Sequence, residues 1–331
     1  MSTRKLSALA GVAGLAAVVL AVAGAVRPFA LPDDYPDHAG GPPTRAGGWI
    51  DDPEAVRECA AEMRCGRFRD TPAFAARRDR PDDVYLWEHC RAATGDVLPA
   101  RDQKQVGSCV GVATATAVEH LLCVQVAEGS GEEFRELASE VIYGGSRVEV
   151  GGGRVRGDGS VGAWAAKFVR DYGVAPRGVY GRYDLRSYSE RLCREFGRAG
   201  LPEAVKAAAR EHPVRGVANV TTWDECRAAV GSGYPVLVCS SQGFEFERDA
   251  DGFCRPRGKW YHAMAVVGVR GGPRPGGFLL NSWGPDAHTG PRVPADAPVA
   301  GFWADAATLD RMLRQGDSWA FSDAVGFPAT R

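Results

Sequence analysis

The sequence has no excess of charge of either sign: 40 Lys and Arg against 41 Asp and Glu leave a formal net of -1. It also lacks a basic stripe with interleaved aromatics, so a nucleic-acid partner is not expected, because binding of that kind rests on neutralising phosphates. No C-x-x-C pair occurs and the cysteine spacings are irregular, which argues against a zinc site. No metal and no cofactor is expected. Internal repeats are missing as well.

What is present is 331 residues, 45% of them hydrophobic, enough for one large buried core or two small ones. Arg4 and Lys5 precede a stretch, 6–26, without charge or proline. It is longer than the about 18 apolar residues that suffice to cross a bilayer, and it ends in small residues that suit signal cleavage. Residues 1–5 are expected on the cytoplasmic side, and 6–26 as a transmembrane anchor or a signal peptide. Either way the rest of the chain is expected outside the membrane, tethered or secreted. Residues 27–82 are rich in Pro, Gly and Asp and read as a linker or propeptide, with a short helix at 52–65. The folded domain is expected over 83–331, as a monomer. Nine cysteines fit export: with Cys109 free, the other eight allow up to four disulfides, of connectivity that sequence does not give.

Gly107 and Ser108 precede an apolar run in which Val110, Ala113, Ala117, Leu121 and Val124 recur at spacings of three and four. That periodicity predicts a helix from 109 to about 126, apolar around most of its circumference and so central and buried. Further helices are expected at 132–142 and at 161–172, the second closed by Gly173. After Pro213 the pattern turns to short apolar strands at 215–220, 235–241, 262–269 and 276–283, bounded by Gly and Pro. Between the first two, Thr222 and Glu225 form a capping box and Gly231 ends the short helix. The order predicts an α+β fold: a helical lobe, then a strand-rich lobe, with a cleft between them.

A thiol attacks a carbonyl carbon as thiolate, and a helix N-terminus with an imidazolium partner lowers its pKa from about 8.5 to roughly 3.5–7.5. Cys109 has the first of these by position; an isolated cysteine would otherwise read as a small buried hydrophobe. Among six histidines, His262 stands out because "KWYHAMAVVGV" sets it at the start of an apolar strand. The next strand, "FLLNSWG", offers Asn281 to hold the ring in one tautomer and Trp283 to screen that hydrogen bond.

These residues resemble the papain-like cysteine proteases. "DQKQVGSC" is similar to that family's "NQGxCGSC", "YHAMAVVG" to "DHAVxxVGYG" and "LLNSWG" to "xKNSWG", in the same order along the chain. The resemblance spans about 83–284. It implies a two-lobed fold with a helical left lobe and a β-barrel-like right lobe. It makes Cys109 the nucleophile, His262 the general acid/base, Asn281 the orienting residue and Gln103 the oxyanion-hole donor. Gly107, Ser108, Gly159, Ser160 and Trp283 would line the substrate site, "GSVGAW" being similar to the family's substrate strand. The implied function is a cysteine-type endopeptidase acting on peptide or protein substrates through a Cys109 thioester. The same groups would serve a thiol amidase or transpeptidase acting on cell-wall peptides, and the fold would serve an inactive binding module. Val106 and Val110 replace a cysteine and a tryptophan usual in the family, Tyr261 stands where Asp or Asn precedes the histidine, and 285–301 replaces its second Gly-Trp-Gly.

Overall fold

Helices precede strands along the chain, in a computed structural model that describes residues 47–80 and 83–328. Helices α1 (Pro53–Met63) and α2 (Pro72–Arg77) each start at a side-chain cap: Asp52 Oδ1 accepts from Ala55 N at 3.0 Å and Thr71 Oγ1 from Phe74 N at 3.2 Å. Strand β1 (Val84–Tyr85) leads into α3 (Leu86–Thr94) and α4 (Cys109–Ala127). Then come β2 (Glu132–Glu133), α5 (Ser139–Gly145) with a π-helical turn at Ser146–Val150, and α6 (Gly162–Asp171). A small hairpin, β3 (Val179–Tyr180) and β4 (Tyr183–Asp184), precedes α7 (Glu190–Ala199) and α8 (Glu203–Arg210). The strand-rich half holds β5 (Val214–Asn219), α9 (Trp223–Gly231), β6 (Val236–Arg248), β7 (Cys254–Arg270), β8 (Gly276–Leu280), β9 (Gly301–Asp305), α10 (Ala306–Leu313), β10 (Trp319–Ala324) and β11 (Phe327–Pro328).

The expected α+β order holds, and the barrel-like lobe takes the form of an open antiparallel sheet. Its strands run β5-β10-β6-β7-β8-β9, with β1 added to one end of β7. The capping box on α9 is formed by Thr222 and Glu225. The helix expected at 132–142 forms only in its last part: Glu132–Glu133 pair with Phe327–Pro328 as strands, and helix begins at Ser139. Gly129 and Gly131, both in left-handed backbone (φ 87° and 77°), turn the chain there before a helix can continue from α4.

Two other expectations change, and one lies outside the described residues. Residues 47–80 are not a loose linker: α1 buries Ala55, Cys59 and Met63 against α6, and α2 packs on α9. The segment 6–26, the first part of the linker and the short stretch 81–82 lie outside the described residues. The one described helix long and apolar enough to cross a membrane is α4, and it is the core helix, buried on nearly every side. Finally, all nine cysteines are free thiols, so the expected disulfides are not there. Most of them fill the core as small apolar side chains, as Cys90, Cys123, Cys193 and Cys226 do.

The core helix carries one buried carboxylate that fixes the loop before the site. Glu119 on α4 accepts from Arg101 Nε at 3.2 Å and from Leu137 N at 2.7 Å, with a second bond from Arg101 Nη2. Arg101 also donates to Leu137 O at 3.0 Å, so the pair ties the incoming loop and the start of α5 to the middle of α4. Arg101→Met removes the partner of a carboxylate that is 3% exposed. Urea unfolding is expected to show a loss of about 3–5 kcal/mol, the usual cost of stranding one member of a buried pair. A loss under about 1 kcal/mol would mean that the pair adds nothing beyond its own desolvation cost.

Candidate active site

The loop before α4 is built to hold Cys109 still. Gln103 N donates to Ser282 O at 2.8 Å, Ser282 Oγ donates to Gln103 Oε1 at 2.5 Å, and Gly284 N donates to Arg101 O at 2.9 Å. The "NSWG" turn is thus bonded to the "RDQ" stretch along its length. Gln103 Nε2 donates to Val106 O at 3.0 Å, and Ser108 N donates to the same carbonyl at 2.7 Å, closing a tight loop. Ser108 is the N-cap of α4 and shares a hydrogen bond with Tyr188 Oη at 3.0 Å. Cys109 is the first residue of α4, so its thiol faces unpaired N–H groups of the first turn.

His262 lies inside β7 rather than at the start of a strand, because the β6–β7 pairing continues past it to Cys254. It sits where that pairing slips: Ser240 faces His262 and Gln242 faces Lys259, so β7 carries one extra residue. The bulge falls at Tyr261, whose φ of 47° is unusual for a bulky side chain, and it re-aims the histidine that follows. His262 Nε2 bonds Asn281 Oδ1 at 2.9 Å, and Trp283 stacks on the imidazole at 4.3 Å between ring centroids. The other ring nitrogen, Nδ1, is buried without a hydrogen-bond partner. The backbone N–H of the next residue, Ala263, faces the Cys109 thiol. The structure therefore brings Cys109, His262 and Asn281 into one site from three separate stretches of chain.

Sequence reasoning missed several supporting residues. His288, in the segment that replaces the family's second Gly-Trp-Gly, meets Asn281 Nδ2 through Nε2 at 3.1 Å. Its loop is gathered by Arg248, a buried residue of β6, whose guanidinium donates to the carbonyls of Gly301 (2.8 Å), Gly290 (3.2 Å) and Thr289 (3.3 Å). Arg147 does the same on the opposite rim: it donates to the carbonyls of Gly157 (2.6 Å) and Val155 (3.1 Å) and to Gly159 O, and so shapes the loop that carries Gly159 and Ser160. Gly107 N is held by Asp158 Oδ2 at 3.0 Å and Gly159 N by Tyr143 Oη at 3.2 Å. An arginine in a loop-rich sequence gives no signal of such a role, because its partners are backbone carbonyls.

Residues 47–50 cover this site. Gly48 N and Trp49 N both donate to Tyr261 O (3.0 and 2.9 Å), Ser160 N donates to Gly48 O (2.8 Å), and Ile50 N donates to Ser160 O (3.0 Å). The segment lies parallel to Ser160 like an added strand. Gly48 is pressed onto the nucleophile loop so closely that a Cβ there would lie 2.2 Å from Gly107 O. Under this cover Cys109 is 0% and His262 1% exposed. Burial pushes the Cys109 thiol up to about 12 despite the backbone N–H groups of Ala263, Val110 and Cys109 that favour the thiolate. Burial likewise pulls His262 down to about 4, opposed by its bond to Asn281. The depressed thiol pKa expected from the helix N-terminus does not hold in the covered state, because desolvation penalises both charges together.

The sign of both shifts is the same in effect: between about pH 4 and 12 the covered pair is neutral thiol and neutral imidazole. Trp49→Ala should let water in, lowering the thiol pKa and raising that of His262. With a small alkylating reagent, Cys109 in the intact chain is expected to react more slowly at pH 7 than in Trp49→Ala, by about tenfold or more, following the thiolate fraction. The intact chain should keep gaining reactivity with rising alkaline pH, while Trp49→Ala levels off earlier. Identical rates and pH profiles would mean that 47–50 do not control the thiol.

No protein-family model matches the sequence, and no curated protein matches it. Solved structures do. Xylellain, a cysteine protease from Xylella fastidiosa, is 17% identical over 85% of this chain and 99% of its own, with a TM-score of 0.54. The Amb a 11 cysteine protease of ragweed pollen, in its proform, is 16% identical over 84% of this chain and 74% of its own, with a TM-score of 0.52. Procathepsin B S9 from Trypanosoma congolense is 14% identical over 86% and 87%, with a TM-score of 0.50. On these likenesses, and on its own helical half and antiparallel sheet, the chain has the papain-like fold of the cysteine proteases.

Proposed function

We propose that the chain is a cysteine-type endopeptidase kept latent by its own residues 47–50. The observation that carries this reading is the arrangement around His262: Nε2 held by Asn281 at 2.9 Å, Nδ1 buried without a partner, and the Cys109 thiol at the N-terminus of α4 beside Ala263. A ring fixed through one nitrogen and unpaired at the other suits proton transfer to and from a thiol.

Once the cover leaves, the Cys109 proton passes to His262 Nδ1 and the thiolate attacks a peptide carbonyl, forming a C–S bond. The developing oxyanion is assigned to the Cys109 N–H and the Gln103 carboxamide. His262 returns its proton to the leaving amine as the C–N bond breaks, giving a thioester. Water, deprotonated by His262, then attacks the thioester carbonyl, and the sulfur departs and recovers its proton. Asn281 keeps the ring in one orientation throughout, and Trp283 shields their hydrogen bond. Residues 6–26 would place this activity outside the membrane, tethered or released.

Turnover of a peptide library by the uncovered chain tests the reading. Cys109→Ala is expected to abolish hydrolysis with the fold intact, His262→Ala to be nearly as severe, and Asn281→Ala milder, since Asn only orients. Gln103→Ala should lower kcat by about 10²- to 10³-fold, the range for one lost oxyanion donor, with little change in KM. Retained turnover in Cys109→Ala would remove the thiol from the mechanism. Cleavage of cell-wall fragments instead of peptides would reassign the same groups to a thiol amidase.

A further inference from the structure

The covering segment also shows what the cleft selects. Trp49 is 1% exposed, and its indole runs beside Tyr261, with centroids 6.4 Å apart and planes 23° from parallel. Its Nε1 donates to Asp317 Oδ2 at 2.8 Å. Asp317, itself buried, sits just before β10, at the N-terminus of α6. Gly162 N donates to Oδ2 at 2.7 Å, and Trp319 Nε1 donates to Oδ1 at 2.8 Å. Space for the carboxylate exists because residue 162 is glycine: a Cβ there would lie 2.7 Å from Asp317 Oδ1 and 2.8 Å from Cys239 Sγ.

The backbone groups that hold 48–50, Tyr261 O and the N–H and carbonyl of Ser160, flank the Cys109–His262 pair. An extended substrate peptide reaching Cys109 must use the same groups once the segment leaves. The side chain it sets in the place of Trp49 then lies beside the Tyr261 ring with the Asp317 carboxylate at its end. We infer that this place is the specificity pocket of the proposed peptidase, and that Asp317 selects substrates bearing tryptophan there by accepting the indole N–H. The inference rests on the peptidase reading. An apolar side chain without a donor would fill the space but take from the buried Asp317 one of the donors that hold its charge, leaving Oδ2 to Gly162 N, and sites built around a substrate N–H disfavour analogues that lack it.

The test uses the full chain carrying Trp49→Ala, whose pocket is vacated, and thiol-directed dipeptidyl electrophiles with Trp, 2-naphthylalanine or Arg at the first or second residue from the reactive carbon. At one of these positions, Cys109 is expected to be modified about tenfold faster by the Trp compound than by its naphthyl analogue, a bicyclic aromatic of similar size without an N–H. Trp should also exceed Arg. Asp317→Asn, which exchanges one carboxylate oxygen for an amide donor, should bring the Trp-to-naphthyl ratio towards one. Because either substitution could weaken folding, Trp49→Phe in an otherwise intact chain gives an independent reading. It keeps an aromatic ring, loses the bond to Asp317, and should raise labelling of Cys109 by a small reagent several-fold. Equal Trp and naphthyl rates, an Arg preference, or a Trp49→Phe chain as protected as the parent would overturn the assignment while leaving Cys109 as nucleophile. Failure of every electrophile to modify Cys109 would remove the peptidase reading and this inference with it.

Discussion

Desolvation is the constraint on which this site turns. A thiol and an imidazole exchange a proton to become an ion pair only where water, dipoles or substrate compensate two charges. Here the helix N-terminus supplies part of that compensation, and residues 47–50 remove the rest by sealing the pair from solvent. In the proposed peptidase the cover would act twice: it would occupy the backbone positions that a peptide takes, and it would hold the proton on sulfur. Its grip comes from backbone hydrogen bonds to Tyr261 and Ser160 and from one buried indole, so it is extensive without being covalent.

The rest of the architecture serves to keep the three stretches of the site in register. The sheet brings His262 and Asn281 together, because β7 and β8 are adjacent antiparallel strands that pair Ala265 with Leu280, just past the histidine and just before the asparagine. The bulge at Tyr261 turns the imidazole and at the same time presents the carbonyl that the cover binds. Cys109 is positioned from the other half through Arg101 and Glu119, which fasten its loop to the core helix. Buried arginines do similar work at the rims: Arg147 under Gly159 and Ser160, Arg248 under His288. Each satisfies several carbonyls at once, so irregular loops stay ordered without secondary structure.

Much of this was legible in the sequence for a physical reason. Cys109 at the head of an apolar helix, His262 on an apolar strand and Asn281 just past the next one are local patterns, as is the Thr222–Glu225 box on α9. What failed was non-local. The Pro- and Gly-rich stretch before residue 83 looked unable to fold by itself, and the order of its described part, 47–80, comes from docking: Trp49 needs Asp317, which lies 268 residues away. The first part of the helix expected at 132–142 lost to pairing with a strand at the far end of the chain. The nine cysteines suggested disulfides through their number, whereas their places in the core make most of them packing residues. The perturbed pKa values ran against expectation because proximity to a helix end is visible in sequence and burial by a remote segment is not.

Cys109 and His262 are expected to form an ion pair only when the cover is lifted. Nitrogen-15 NMR of the His262 ring reads this directly. The expected result is a neutral imidazole at pH 7 in the intact chain, an imidazolium at pH 7 in Trp49→Ala, and a return to neutral imidazole when Cys109→Ser is added to that variant. A ring that is neutral at pH 7 in the uncovered chain, or charged in the absence of the thiol, would contradict it.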